Sequence, residues 1–174
     1  MIEIKTGRLI LKKPTTKKDQ ISLVSQIEDW EVVRWFSKIP YELAMNCKDY
    51  LKMSNKNELD LSIFLDDKLI GGVGLALNDD DNYYELGYWV GKDYWGKGYA
   101  TESSKYLLEY ALRKLDSPKI KTGYFIDNIP SGNVLKKLGF KEVGIEKKYS
   151  EPNKKEMSMM FVELEFSSIK EELL

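Results

Sequence analysis

The 174-residue chain contains no histidine and a single cysteine, Cys47. The first absence removes Ser-His-Asp and Cys-His nucleophilic chemistry and argues against a catalytic zinc. One cysteine excludes an internal disulfide and any cysteine-based zinc site. Charge of one sign is also lacking, since 27 Lys and Arg stand against 28 Asp and Glu, a formal net charge of −1. No field therefore draws the whole molecule to nucleic acid or to an anionic membrane. The opening Met-Ile-Glu-Ile-Lys-Thr has no long apolar run, so neither a signal peptide nor a membrane span is expected, and a cytoplasmic location is the default. No repeat or low-complexity linker interrupts the sequence. With 43% hydrophobic residues it can fill one core, so one domain over residues 1–174 is expected, with 168–174 a frayed tail.

What the chain does have is concentrated between Tyr84 and Glu102. Tyr84 to Val90 is aromatic and β-branched, which predicts a strand. Gly91, Gly96 and Gly98 then punctuate a loop, and Gly-Tyr-Ala-Thr-Glu opens a helical pattern. Glycines just before a helix let backbone N–H groups approach an anion, where unpaired donors and the helix dipole hold phosphate. The spacing is neither a Walker loop, which needs Lys-Ser or Lys-Thr after its second glycine, nor a dinucleotide fingerprint, because Thr101 stands where a third glycine is required.

The remaining elements follow from periodicity and punctuation. Arg8 to Lys12 predicts a strand closed by Pro14, and Thr15, Thr16 and Asp19 start a helix with apolar positions Ile21, Val24 and Ile27. Trp30 to Phe36 suits a second short helix ended near Pro40, and Leu43 to Met53 a third. Leu59 to Leu65 and Leu69 to Leu77 read as a hairpin whose Gly71, Gly72 and Gly74 allow a bulge or close packing. Asn78 to Asn82 is an acidic turn, a solvated tip or an attraction for cations. Gly98 to Leu115 is an amphipathic helix with Ala100, Ser104, Leu107, Ala111 and Leu115 on one face. Lys119 to Ile126 is a strand, Asn128 and Pro130 start a helix that Gly139 ends, and Phe140 to Tyr149 and Met157 to Phe166 are the last strands.

Two segments carry a family resemblance. Trp95-Gly96-Lys97-Gly98-Tyr99-Ala100 resembles the pyrophosphate-binding signature of the GNAT acetyltransferases, Arg/Gln-x-x-Gly-x-Gly/Ala. Its flanks, Gly-Tyr-Trp-Val before and Ala-Thr-Glu after, look like the RimJ/RimL-like branch, the ribosomal-protein N-terminal acetyltransferases, in which Trp commonly stands at the place of Trp95. Asp127 to Phe140 resembles the GNAT segment Asn-x-x-Ser-x-x-Val-Leu-x-Lys-Leu-Gly-Phe at nearly every position, and Thr6-Gly-Arg-Leu resembles the branch's Thr-Glu-Arg-Leu opening with Gly7 for Glu. The resemblance implies an α/β (α+β) GNAT fold: a mixed, mostly antiparallel sheet of six to seven strands, helices on both faces, and a splayed central strand pair. It also implies acetyl-CoA as cofactor, with coenzyme A as product, and a primary amine as acceptor on a small molecule or a protein N-terminus. Neither nucleic acid nor membrane is expected as a partner; a homodimer is compatible with the branch.

The site follows by the same resemblance. Gly96, Lys97, Gly98, Tyr99, Ala100 and Thr101, with Trp95, would hold pyrophosphate through backbone amides, Lys97 itself pointing to solvent. Tyr88, Trp89 and Val90 would pair with pantetheine as an added strand and polarise the thioester carbonyl. Asn128 and Asn133 are candidates for bonds to pantetheine or phosphates, or are helix caps; Lys136 meets the phosphates or solvent. An alkyl ammonium has a pKa near ~10, so a group must take its proton. Without histidine that base is a carboxylate, and Glu85 is the choice, with a strand-edge charge or a substrate contact as the alternative. Leu135 stands where many relatives carry a tyrosine that reprotonates the thiolate, so Ser131 takes that place, or is only a cap, with Tyr88 and Tyr124 in reserve. Trp35 and Phe36 shape the acceptor pocket or the core. Substrate choice falls to the first helices and the Glu151–Lys155 hairpin. Cys47 lies far from either motif, so direct attack by the amine is expected and Cys47→Ala should retain activity. An aminoglycoside acetyltransferase and a catalytically weak acyl-CoA-binding module are the competing readings.

Overall fold

Alternation at a period of two organises the sheet, and the two sets of alternating residues meet two different layers of helix. The computed structural model describes residues 2–37, 59–78, 82–115 and 119–165. Among these residues eight strands form one sheet: β1 (Glu3–Lys5), β2 (Leu9–Lys12), β3 (Asp60–Leu65), β4 (Lys68–Asn78), β5 (Tyr83–Val90), β6 (Ile120–Phe125), β7 (Lys141–Ser150) and β8 (Lys155–Leu164), in the order β1-β2-β3-β4-β5-β6-β8-β7. All neighbours are antiparallel except β5 and β6. The mixed, mostly antiparallel sheet is the one expected, but it has eight strands, where six to seven were anticipated. β1 is an edge strand of three residues, too short to show a period.

Helix α1 (Lys17–Ile27) starts on a capping box: Thr16 accepts from the Asp19 amide and Asp19 accepts from the Thr16 amide. α2 (Trp30–Val33) is capped by Asp29. These two lie on one face, where Leu23 and Ile27 pack with Phe64 and Leu69, and Phe36 and Trp89 cover them. Ile21, expected to face the core, is 60% exposed, and Leu23 takes the inner position instead. On the opposite face α3 (Tyr99–Lys114) buries Ser103, Ser104, Leu107, Leu108 and Ala111. Leu107, Leu108 and Ala111 meet Leu9, Leu11, Ile63, Val73, Leu75 and Leu86 in the larger core. Each such leucine contributes about 1.5–3 kcal/mol by leaving water. α4 (Ile129–Lys137) packs beside α3, starts on Asn128 and ends before Gly139, whose φ of 87° suits the left-handed position after a helix.

The glycines of β4 serve close packing. A Cβ at Gly71 would strike the Trp89 carbonyl oxygen, and one at Gly72 would lie 2.6 Å from the Trp89 indole nitrogen. The register with β3 also shifts beside them, between Ile63 and Phe64. Both expectations for this stretch therefore hold. The anticipated helix at Leu43 to Met53, with Cys47, lies outside the described residues, as do most of the acidic turn after Asn78 and the last strand residue, Phe166.

Candidate active site

β5 is eight residues long, yet β6 pairs only with its beginning, Tyr84 opposite Ile120 and Glu85 opposite Lys121. Beyond Glu85 the two strands part. The Tyr84 amide donates to the Lys119 carbonyl at 2.8 Å, which puts the peptide groups of Tyr84, Leu86, Tyr88 and Val90 on the β6 side. Two of the carbonyls there are occupied. The Thr122 hydroxyl donates to Leu86 at 2.7 Å, and the Trp95 indole N–H donates to Val90 at 2.6 Å. Between them the N–H and C=O of Tyr88 face the opening, and among the described residues no strand runs beside them. A thin extended ligand could pair there.

The opening leads to the loop. Gly96 and Gly98 have φ of 73° and 82°, values an L side chain would strain, and Gly98 caps α3 without any side-chain hydrogen bond. The first amides of α3 are thus left to an external acceptor, the arrangement that holds anions. Lys97 turns back along the loop, its ammonium 3.0 Å from the Asp93 carbonyl and 5.6 Å from the centre of the Tyr94 ring. Trp95 braces the strand end through its indole. Tyr99 lies under the Arg8 guanidinium, 4.7 Å away, while Ala100 and Thr101 are half-buried in the first helical turn.

Arg8 belongs to a cluster that links the chain's first turn to α3. Glu102 Oε1 accepts from the Thr6 hydroxyl at 2.6 Å and the Arg8 amide at 2.8 Å. Its Oε2 accepts from Arg8 Nε at 2.7 Å and lies 2.7 Å from Nη2. Arg8 Nη1 donates to the Lys97 carbonyl at 3.0 Å. Burial works to raise the Glu102 carboxyl, but the hydrogen bonds from Thr6 and Arg8 outweigh it and hold it below the usual carboxylate range.

On the α3 side of the opening the Tyr88 hydroxyl lies 2.8 Å from Ser131 Oγ and 3.0 Å from the Ser131 carbonyl. Burial pushes the Tyr88 phenol up to about 12, against the lowering effect of the Ser131 bond. Asn128 caps α4, its Oδ1 accepting from the Ser131 amide at 3.4 Å. Tyr124 packs on Gly132 so closely that a Cβ there would lie 2.7 Å from its ring. Leu135 is in the core, and Asn133 and Lys136 are exposed on the outer side of α4.

Glu85 and Trp89 point to the other face. Glu85 is exposed, and Trp89 meets Phe36 edge-on with ring centres 6.5 Å apart. Trp35 stands aside, stacked against the Arg34 guanidinium at 4.6 Å. The β7–β8 turn docks on the end of α2: the Asn153 side-chain amide donates to the Arg34 carbonyl at 2.6 Å and the Glu151 amide to the Ser37 carbonyl at 3.1 Å. The first helices and the last hairpin, the two places where acceptor choice was expected, are thus in contact. Among the described residues no group of His, Cys, Asp and Glu converges as a metal site, and no helix is long and apolar enough to cross a membrane.

The structure therefore brings Tyr88 and Ser131 together on one side of β5, joins Trp95 to Val90, and sets Glu85, Trp89 and Phe36 on the opposite side. Sequence reasoning missed Thr6, Arg8 and Glu102. The signals for them were the Thr6-Gly-Arg-Leu opening and the Ala-Thr-Glu flank, which carried a likeness but did not join the two.

A family model for the acetyltransferase (GNAT) domain matches residues 8–141. The chain is 28% identical over 152 residues to p20 of Bacillus licheniformis, described as an uncharacterized N-acetyltransferase, covering 83% of this chain and 85% of that one. The solved structure of a GNAT-family acetyltransferase from Bacillus anthracis superposes with a TM-score of 0.78 at 22% identity, over 94% of this chain and 98% of the other. RimL, a ribosomal alpha-N-protein acetyltransferase solved in complex with coenzyme A, also gives 0.78, at 16% identity and the same coverage of 94% and 98%. At these identities the two structures speak for the fold.

Proposed function

This chain belongs to the GNAT acetyltransferase family and is an acetyltransferase, and from that premise we propose that it carries the acetyl group of acetyl-CoA to a primary amine by direct attack. The observation that carries the reading is the parting of β5 from β6, which leaves the Tyr88 peptide groups open on a path to the uncapped start of α3. The residues present fit the cofactor: an open strand edge for the amides of pantetheine and a glycine-framed amide cluster for the diphosphate. Acetyl-CoA supplies an activated acyl group as a thioester. The acceptor reaches it from the face of Glu85, where Trp89, Phe36 and the docked β7–β8 turn form the surroundings. The acceptor is a protein N-terminus or a small-molecule amine.

The chain's own groups handle two protons. The Glu85 carboxylate takes one from the attacking amine, directly or through water, on its side of β5. Ser131 gives one to the departing sulfur on the other side. When Tyr88 donates to Ser131 Oγ, the serine's own proton is left for that task. The first test is calorimetric titration with acetyl-CoA of the parent and of Gly98→Val. Micromolar binding abolished by the bulky side chain supports the reading, and no binding by the parent overturns it. Glu85→Gln should then lower kcat by about a hundredfold or more while leaving acetyl-CoA affinity intact. Unchanged turnover would return Glu85 to the role of a surface charge.

A further inference from the structure

The Arg8 guanidinium sits beside the anion loop, 89 residues away in sequence, and divides its donors between two partners. One edge meets Glu102 and Nη1 meets the Lys97 carbonyl. We propose that Arg8 is a positioning residue for the diphosphate of the acyl donor, setting the direction of the Gly98 amide by holding the carbonyl of the same peptide. A trans peptide places its C=O and N–H on opposite sides. Tying the Lys97 carbonyl to Arg8 therefore turns the Gly98 N–H away from Arg8, toward the uncapped start of α3. Gly96 and Gly98 have left-handed backbones, so steric limits alone leave this peptide free to flip, and the Arg8 bond selects one of its two orientations. Glu102 in turn fixes Arg8, and because it neutralises the guanidinium, the effect is orientation more than added charge.

A lysine cannot reproduce the device. Its ammonium is a point charge, whereas the planar fork reaches the carboxylate and the carbonyl together. Removing the side chain should also leave the turn between β1 and β2 docked on α3, because Glu102 keeps its bonds from the Thr6 hydroxyl and from the amide of residue 8.

The proposal rests on the reading of this loop as the diphosphate site, so the test separates the two. The parent, Arg8→Met and Arg8→Lys are titrated with coenzyme A and with pantetheine, which lacks the diphosphate, and KM and kcat are measured with acetyl-CoA. The expected result is a roughly tenfold to hundredfold loss of coenzyme A affinity in Arg8→Met. Pantetheine affinity and saturated kcat should stay unchanged, with little recovery in Arg8→Lys. Parent-like binding of coenzyme A by Arg8→Met overturns the proposal alone, as does an equal loss for both ligands or full recovery in Arg8→Lys. Should Arg8→Met fail to fold, Arg8→Lys carries the comparison. A parent that binds no coenzyme A overturns the diphosphate reading and the proposal with it.

Discussion

Glu102 and Tyr88 are ionisable side chains that the fold holds in opposite senses, and stability should bend at both ends of the pH range because of them. Glu102 is held below its ordinary range, so the fold favours its charged form. That contribution is whole above the unfolded value near ~4.3 and is lost as pH falls through the lower folded value. Tyr88 is pushed up to about 12, so the fold favours its neutral phenol. Its contribution is whole below the ordinary value near ~10 and is lost as pH rises toward the folded one. Urea unfolding from acid to alkali should show both limbs. Glu102→Gln should make the acid limb shallower, Asp19 being held down as well, and Tyr88→Phe the alkaline limb, where burial also raises Tyr124, each leaving the other limb in place. A Tyr88→Phe profile that still falls between pH 10 and 12 as steeply as the parent's would mean that other tyrosines carry the alkaline loss.

The helices differ in how they begin. α1 has a reciprocal box of Thr16 and Asp19, and α4 has the Asn128 side chain, but α3 starts on a glycine that offers no side chain. Thr16→Ala and Asn128→Ala should each destabilise by about 1 kcal/mol in urea melts. Only the second should also slow turnover, because α4 carries Ser131. Equal effects on turnover would separate Ser131 from the chemistry. The strand, loop and helix from Tyr83 to Lys114, and the helix between Asn128 and Gly139, were legible because glycines, caps and apolar spacing all act within a few residues. β1 was not, since three residues show no period. Ile21 was misplaced because Ile21 and Leu23 compete for the inner face of one helix, and only packing on Phe64 and Leu69 decides between them. The Thr6, Arg8 and Glu102 cluster was illegible for a different reason: no local rule joins residues 94 apart. The glycine-punctuated loop between β5 and α3 was legible from Gly91, Gly96 and Gly98, but nothing local announces the bond from Trp95 to Val90.

Seen as a whole, the backbone has a two-pair seam between β5 and β6, but the core does not. Ile120, Val162 and Leu164 from the far half share one cluster with Leu75, Leu86 and Leu107 from the near half. All four tryptophans, Trp30, Trp35, Trp89 and Trp95, belong to segments that precede β6. Tryptophan fluorescence therefore reports one half and circular dichroism both, and the continuous core predicts that their thermal transitions coincide. Saturating acetyl-CoA should raise both together, by about 2.7 kcal/mol at a hundred times Kd. Separate transitions would show that the seam divides the molecule into two units.

The parted strands also give the protein a liability usually met at the rim of a sheet. Tyr88 offers in the interior what an edge strand offers outside, a peptide group looking for another chain. In the proposed complex the donor satisfies that group. When it leaves, the protein displays a short template on which an extended segment of a neighbour can settle. Solubility should then depend on occupancy of that proposed site: light scattering from concentrated protein should fall as coenzyme A is added, the bound cofactor standing guard against self-association.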